Sequence, residues 1–244
     1  HEVDRALAGH AAYEKENSVK AQQEEPSAPP VDLWAGAVAG LLLIGFFAAT
    51  PAWHSALPWL ERGSANAARI LDGELWRTVT ALTLHADAAH AVSNAFAMAV
   101  FFGAVSAQLG AGSAGALILL SGAGGNLANA YLQGSPHDAV GASTAVFGAV
   151  GMLGSLAMIR RRREMGSKRR AWLTVAASLA LLGMLGSGGA RVDVMAHFLG
   201  FLIGGGLGVV TGLLSTRPAS AAVQWTCGAA TLAAIVYCWM LALN

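Results

Sequence analysis

A serine and a histidine at matching depth in two apolar helices can act as a nucleophile and its base. The serine is Ser143, in Val140-Gly141-Ala142-Ser143-Thr144-Ala145-Val146-Phe147-Gly148, a small-residue stretch that opens an apolar run. Small residues let helices approach closely in lipid, and that is one use of such a stretch. The other use is chemical, because a hydroxyl at a helix N-terminus has backbone N–H groups beside it that can bind an oxyanion. Asp193-Val194-Met195-Ala196-His197-Phe198-Leu199-Gly200 supplies the histidine. Ionisable residues at membrane depth are costly, so His197 is a functional candidate; the competing use is a packing histidine bonded to a neighbouring carbonyl. Asp193, one turn earlier, can orient His197 or cap the helix, and its place ahead of the apolar run favours the cap.

Further donors come from His85-Ala86-Asp87-Ala88-Ala89-His90-Ala91-Val92-Ser93-Asn94. His90 and Asn94 are at i and i+4, on one helical face. Both can donate hydrogen bonds, which suits an oxyanion hole alongside the Ser143 N–H. On a continuous helix His85 lies about 140° round from His90, which favours a structural role in the loop. The two histidines are five apart, not the i, i+4 of a helical zinc pair, so no metal is expected. No cofactor is expected either.

These residues need a membrane scaffold. Hydrophobic residues make up 55% of the chain and charged residues 12%, about half the usual charged share of a soluble domain. From Ala88 to His137 there is no Asp, Glu, Lys or Arg. The expected fold class is an all-α polytopic membrane bundle. Seven spans are expected: Leu33 to Thr50, Ala88 to Gln108, Gly112 to Gln133, Ala139 to Ile159, Ala171 to Gly189, Val194 to Leu214 and Ala219 to Leu241. Residues 1–32 are polar and form a tail and linker. The chain opens on His1 rather than Met, as a fragment or processed form does, and shows no signal-peptide pattern. The connection from Pro51 to Arg77 is long for a helix link and holds Trp53, Trp59 and Trp76, which suggests structure or function at the interface. Cys227 and Cys238 are eleven apart in one helix, about 16 Å along its axis, too far for a disulfide.

Basic residues set the orientation. With seven spans, one side carries eleven of the fifteen: Arg5, Lys15, Lys20, seven from 160 to 170, and Arg217. The other carries Arg62, Arg69, Arg77 and Arg191. The N-terminus is then cytoplasmic, Ser143 faces outward, and no nucleic-acid partner is needed to explain the basic loop. Glycine spacing brings the two key helices together. Ala196, Gly200, Gly204, Gly208 and Gly212 recur every four residues in the sixth span, and Gly148, Gly151 and Gly154 every three in the fourth. Such stripes allow close backbone approach.

Four motifs, in order, make the chain resemble the rhomboid intramembrane serine proteases. Gly73-Glu74-Leu75-Trp76-Arg77 is similar to the family's Trp-Arg loop element. His85, His90 and Asn94 resemble its His-x4-His-x3-Asn motif, and Gly141-Ala142-Ser143-Thr144 its Gly-x-Ser-Gly motif. Ala196-His197-x-x-Gly200 resembles its histidine motif, with Gly204 behind it. The resemblance covers roughly residues 33 to 214 and implies a six-helix core, with residues 215 to 244 as one added helix. It implies hydrolysis within or near the transmembrane segments of protein substrates in the bilayer, by a Ser143–His197 dyad without a third acid. Two positions depart from the pattern. Thr144 replaces a glycine, and either crowds the oxyanion site or is a tolerated small side chain. Phe147 stands where a tyrosine often stacks on the histidine. The alternative function is a catalytically inactive rhomboid-like protein that binds membrane clients. A transporter is a weaker rival, since the spans show no matched pair of broken helices.

Overall fold

The computed structural model describes residues 9–10, 13, 31–50, 58–165, 193–214 and 218–244. The chain divides into a short unit, 1–30, in which Gly9, His10 and Tyr13 are helical and exposed, and a compact unit, 31–244, which holds every candidate site residue. The expected fifth span, Ser167, Arg191, Arg217 and Trp53 lie outside the described residues.

Every described element is helical. Asp32 starts α1 (Leu33–Ala49), its Oδ1 accepting the Ala35 N–H at 3.0 Å while Oδ2 accepts the Ser106 hydroxyl at 2.9 Å. Between the first two spans come α2 (Trp59–Gly63), α3 (Ala67–Leu71), α4 (Arg77–Thr80) and a 3-10 turn, Ala81–Thr83. Asp87 caps α5 (Ala88–Leu109), accepting the His90 N–H at 2.8 Å. Gly110, at φ +85, makes the turn into α6 (Ala111–Gln133). After it come α7 (Ser143–Met165), α8 (Val194–Leu214) and α9 (Ala221–Leu243). Five of these, α5 to α9, are long and apolar enough to cross a bilayer, and α1 is a 17-residue apolar helix, at the short end of spanning length.

The chain is thus a multi-pass membrane protein with an all-α fold, as its sequence implies. One boundary differs. Composition puts the start of the fourth span at Ala139, but α7 begins at Ser143, and residues 134–142 form a non-helical strap. The backbone of that strap is tied elsewhere: Ala67 N–H to His137 O at 2.9 Å, Ala65 N–H to Ala139 O at 2.8 Å, and Gly141 N–H to Ala81 O at 2.9 Å.

α7 is the central helix, with 67% of its membrane window buried against 11% for α9. Its most extensive partner is α8. The two run parallel in a four-residue register, because a Cβ at Gly200 would meet Thr144 O, one at Gly204 Gly148 O, and one at Gly208 Met152 O at 2.8 Å. Backbones so close leave no room for side chains on that α8 face. α9 packs at the edge and is fastened at both ends. Gln224 donates to Leu109 O at 2.8 Å and accepts the Ser113 N–H at 2.9 Å. Trp239 Nε1 donates to Thr83 Oγ1 at 3.1 Å, and its ring packs on Phe46 and Trp59.

Candidate active site

Ser143 is the first residue of α7, so its N–H and the next two point out of the helix with no partner one turn back. His197 is the fourth residue of α8, and its backbone N–H donates to Asp193 O at 3.1 Å. The four-residue register of α7 on α8 sets these two at one height. His197 Nε2 and Ser143 Oγ are 2.7 Å apart. The imidazole is buried and the serine partly buried, so the pair is largely shielded from solvent. One helical turn along, the Phe147 ring lies 4.5 Å from that of His197 at an interplanar angle of 35°. It covers one imidazole face and limits how the ring can turn.

Gly141 lies two residues before Ser143 at φ +130, a conformation glycine adopts readily. A Cβ there would stand 2.7 Å from His90 Nε2 and 3.6 Å from Asn94 Nδ2. His90 and Asn94 therefore converge from α5 on the backbone that leads into the serine. Asn94 Nδ2 is buried and has no hydrogen-bond partner among the described residues. A buried amide donor without a partner costs about 1–3 kcal/mol, which marks Asn94 as a group whose use lies beyond packing.

His85 precedes α5, so the angular separation expected for a continuous helix does not apply. Its ring is buried and meets the His90 ring edge-on, with centroids 5.1 Å apart. Burial first, then the charge of His90, push the His85 pKa down to about 4. The neutral ring keeps Nε2 as an acceptor, and the Ala142 nitrogen lies 3.5 Å from it, a long bond from the residue before Ser143. Among the described residues no three His, Cys, Asp or Glu side chains converge as metal ligands would.

Thr144 is buried, and its methyl group lies 2.6 Å from where a Cβ on Gly125 would be and 3.0 Å from one on Gly200. Its side chain fills a gap between α6 and α8 that two glycines leave open.

Trp76 and Arg77 stand apart from the serine. The Arg77 side chain is buried, with Nε donating to Glu74 Oε2 at 2.6 Å and NH1 to the carbonyls of Glu61 and Ser64 at 2.9 and 3.2 Å. Burial alone would raise the Glu74 pKa, but hydrogen bonds from Arg77 and Arg69 outweigh it and hold the carboxyl below its usual range. Trp76 packs against the cluster of Leu84, Trp239 and Ala242. Both residues brace the loop that holds the strap, one layer behind the site.

A model of the Rhomboid domain matches residues 72–214, more than half of the chain. The chain belongs to the rhomboid family. Every site residue singled out in the sequence lies inside that match. The rhomboid protein YdcA of Bacillus subtilis (strain 168) is 28% identical over 165 residues, 67% of this chain and 79% of that protein. RHOMBOID-like protein 5 of Arabidopsis thaliana is 31% identical over 159 residues, 63% of this chain and 50% of that protein. Rhomboid protease GluP of Bacillus subtilis (strain 168) is 33% identical over 100 residues, 41% of this chain and 19% of GluP. The chain thus spans most of YdcA, half of the plant rhomboid and a smaller part of GluP.

Sequence reasoning missed one polar group beside the site. Asn129 and Gln133 on α6 and His137 on the strap gather round Asp193 at the start of α8. The amides of Asn129 and Gln133 at i, i+4, near the end of a largely apolar span, were the available signal.

Proposed function

We propose that this rhomboid is an intramembrane serine endopeptidase that cleaves peptide bonds in or near the transmembrane segments of membrane proteins. The observation that carries the proposal is the 2.7 Å contact between Ser143 Oγ and His197 Nε2 at the mouth of α7. His197 takes the serine proton as Oγ attacks the scissile carbonyl, then gives it to the leaving amine. The tetrahedral oxyanion is held by the Ser143 N–H, Asn94 Nδ2 and His90. Water then cleaves the acyl-enzyme. Asp193 is not a third acid in this scheme, because its Oδ1 accepts the Ala196 N–H at 3.0 Å as a helix cap. The basic-residue asymmetry supports a cytoplasmic N-terminus with the site on the outer side, and the Bacillus subtilis relatives support a bacterial inner (plasma) membrane as the location.

A fluorophosphonate probe in detergent tests the scheme. Wild-type protein should be labelled at Ser143 and should cleave a model transmembrane substrate. Ser143→Ala and His197→Ala should each abolish cleavage, and the double variant should be little worse than either, since the two act as a unit. Cleavage at wild-type rate by Ser143→Ala eliminates the mechanism. A folded wild-type protein that neither labels nor cleaves favours the client-binding alternative.

A further inference from the structure

The glycine stripe brings α7 and α8 together through backbone contacts. Interfaces built of backbone and glycine hold two helices close but offer few side chains that interlock along the axis. The Ser143–His197 contact nevertheless requires a defined height of α8 on α7. A displacement of about 1 Å can cost on the order of 10²-fold in rate.

One group of side chains outside the dyad ties the start of α8 to α6 and to the strap that leads into α7. Asp193 uses its two carboxylate oxygens differently. Oδ1 accepts the Ala196 N–H at 3.0 Å and so belongs to α8. Oδ2 accepts Asn129 Nδ2 at 2.6 Å, from α6, and lies 2.7 Å from His137 Nε2, on the strap. Gln133 Nε2 adds a longer contact to Oδ1 at 3.4 Å. The Asp193 side chain is 12% exposed and that of His137 24%, so little water competes with these bonds. His137 also accepts the Ala67 N–H through its own carbonyl at 2.9 Å, and it lies six residues before Ser143. The strap from His137 to Ala142 is thus fixed to the loop helices by backbone bonds and to the first turn of the histidine helix by one side chain.

We propose that His137 and Asn129 are positioning residues for the Ser143–His197 pair, acting through the Asp193 carboxylate to set the height of α8 against the strap that carries the serine. The inference deepens the protease proposal and rests on it for its kinetic consequence, but the brace itself is a structural claim that can be measured without catalysis.

The experiment uses the full chain in detergent and compares His137→Ala with His137→Gln, whose amide nitrogen can stand where Nε2 stands. Two quantities are read: the fluorophosphonate labelling rate at Ser143, and hydrogen exchange of the Ala65, Ala67 and Gly141 amides that hold the strap. His137→Ala should label ~10-fold more slowly and exchange these amides faster. His137→Gln should recover both, with thermal midpoints of all three proteins close together. Labelling of His137→Ala at the wild-type rate overturns the kinetic part, as does a His137→Gln variant no better than His137→Ala. If His137→Ala does not fold, Asn129→Ala, which removes the other donor to Oδ2, carries the same comparison. If wild-type protein fails to label, the protease proposal fails, and the exchange data still decide the brace: unchanged strap amides in His137→Ala overturn it.

Discussion

At the scale of single residues, the donors around Ser143 differ in what their removal costs. Asn94→Ala should lower kcat by roughly 10²–10³-fold, the usual range for one oxyanion donor, or by less where His90 and the Ser143 N–H compensate. Measured alongside Ser143→Ala, a wild-type rate for Asn94→Ala would leave its buried Nδ2 without a catalytic purpose. His85 makes a separate prediction about pH. Its pKa is held near 4 in the fold, against an ordinary value of 6.5. The unfolded chain therefore binds a proton that the folded chain refuses, so the stability tied to neutral His85 is fully present above about 6.5 and is lost as pH falls toward 4. Glu74, held below its usual range, works in the same direction at lower pH, since protonation takes away its bonds to Arg77 and Arg69. Thermal midpoints in detergent should fall between pH 6.5 and pH 4, and His85→Gln should flatten the upper part of that fall. An unaltered profile in the variant would assign the loss to other groups.

At the scale of elements, the joint between α7 and α8 dominates. Gly204→Leu should abolish cleavage and destabilise the protein, because even a Cβ at that position meets Gly148 O. Overpacking typically costs about 1–3 kcal/mol, and a clash with backbone cannot be relieved by rotating a side chain. Cleavage at the wild-type rate with an unchanged thermal midpoint would mean that the helices do not pack through this face. Much of this joint was legible in the sequence, since the four-residue period of Gly200, Gly204, Gly208 and Gly212 marks a single helical face. The strap was not. Val140, Gly141 and Ala142 look like the start of an apolar helix, but Gly141 and Ala142 bond to Ala81 and His85, and His137 and Ala139 just before them to Ala67 and Ala65, contacts that a local reading does not show. The loop helices between Trp59 and Thr83 were hidden for a related reason: each is too short to show a period, and their order depends on the buried Arg77 guanidinium.

At the scale of the whole molecule, the distribution of basic residues predicts that the basic segment 160–170, which begins in the last turns of α7, faces the cytoplasm. A cysteine at Ser167, in a chain with Cys227 and Cys238 replaced by alanine, should resist a membrane-impermeant thiol reagent in intact cells and react after lysis. Ready labelling in intact cells would reverse the orientation and put Ser143 on the inner side. α9 runs back to the serine end of the bundle, where Arg62 donates to Leu243 O at 2.7 Å.

Sequence by itself determined the membrane class, the spans among the described residues and their order, because the cost of placing backbone or charge in lipid is local and is written into composition. It also named the serine, the histidine and the α5 donors as candidates, because polar groups are rare in such helices. Tertiary structure decided what these groups face. The 2.7 Å separation of His197 from Ser143, the turn of Thr144 into the space left by Gly125 and Gly200, and the meeting of Asn129, His137 and Asp193 each join residues from separate helices. Axial register between packed helices has no local signature. It is fixed by a few long-range bonds and backbone contacts that exist only once the helices have come together.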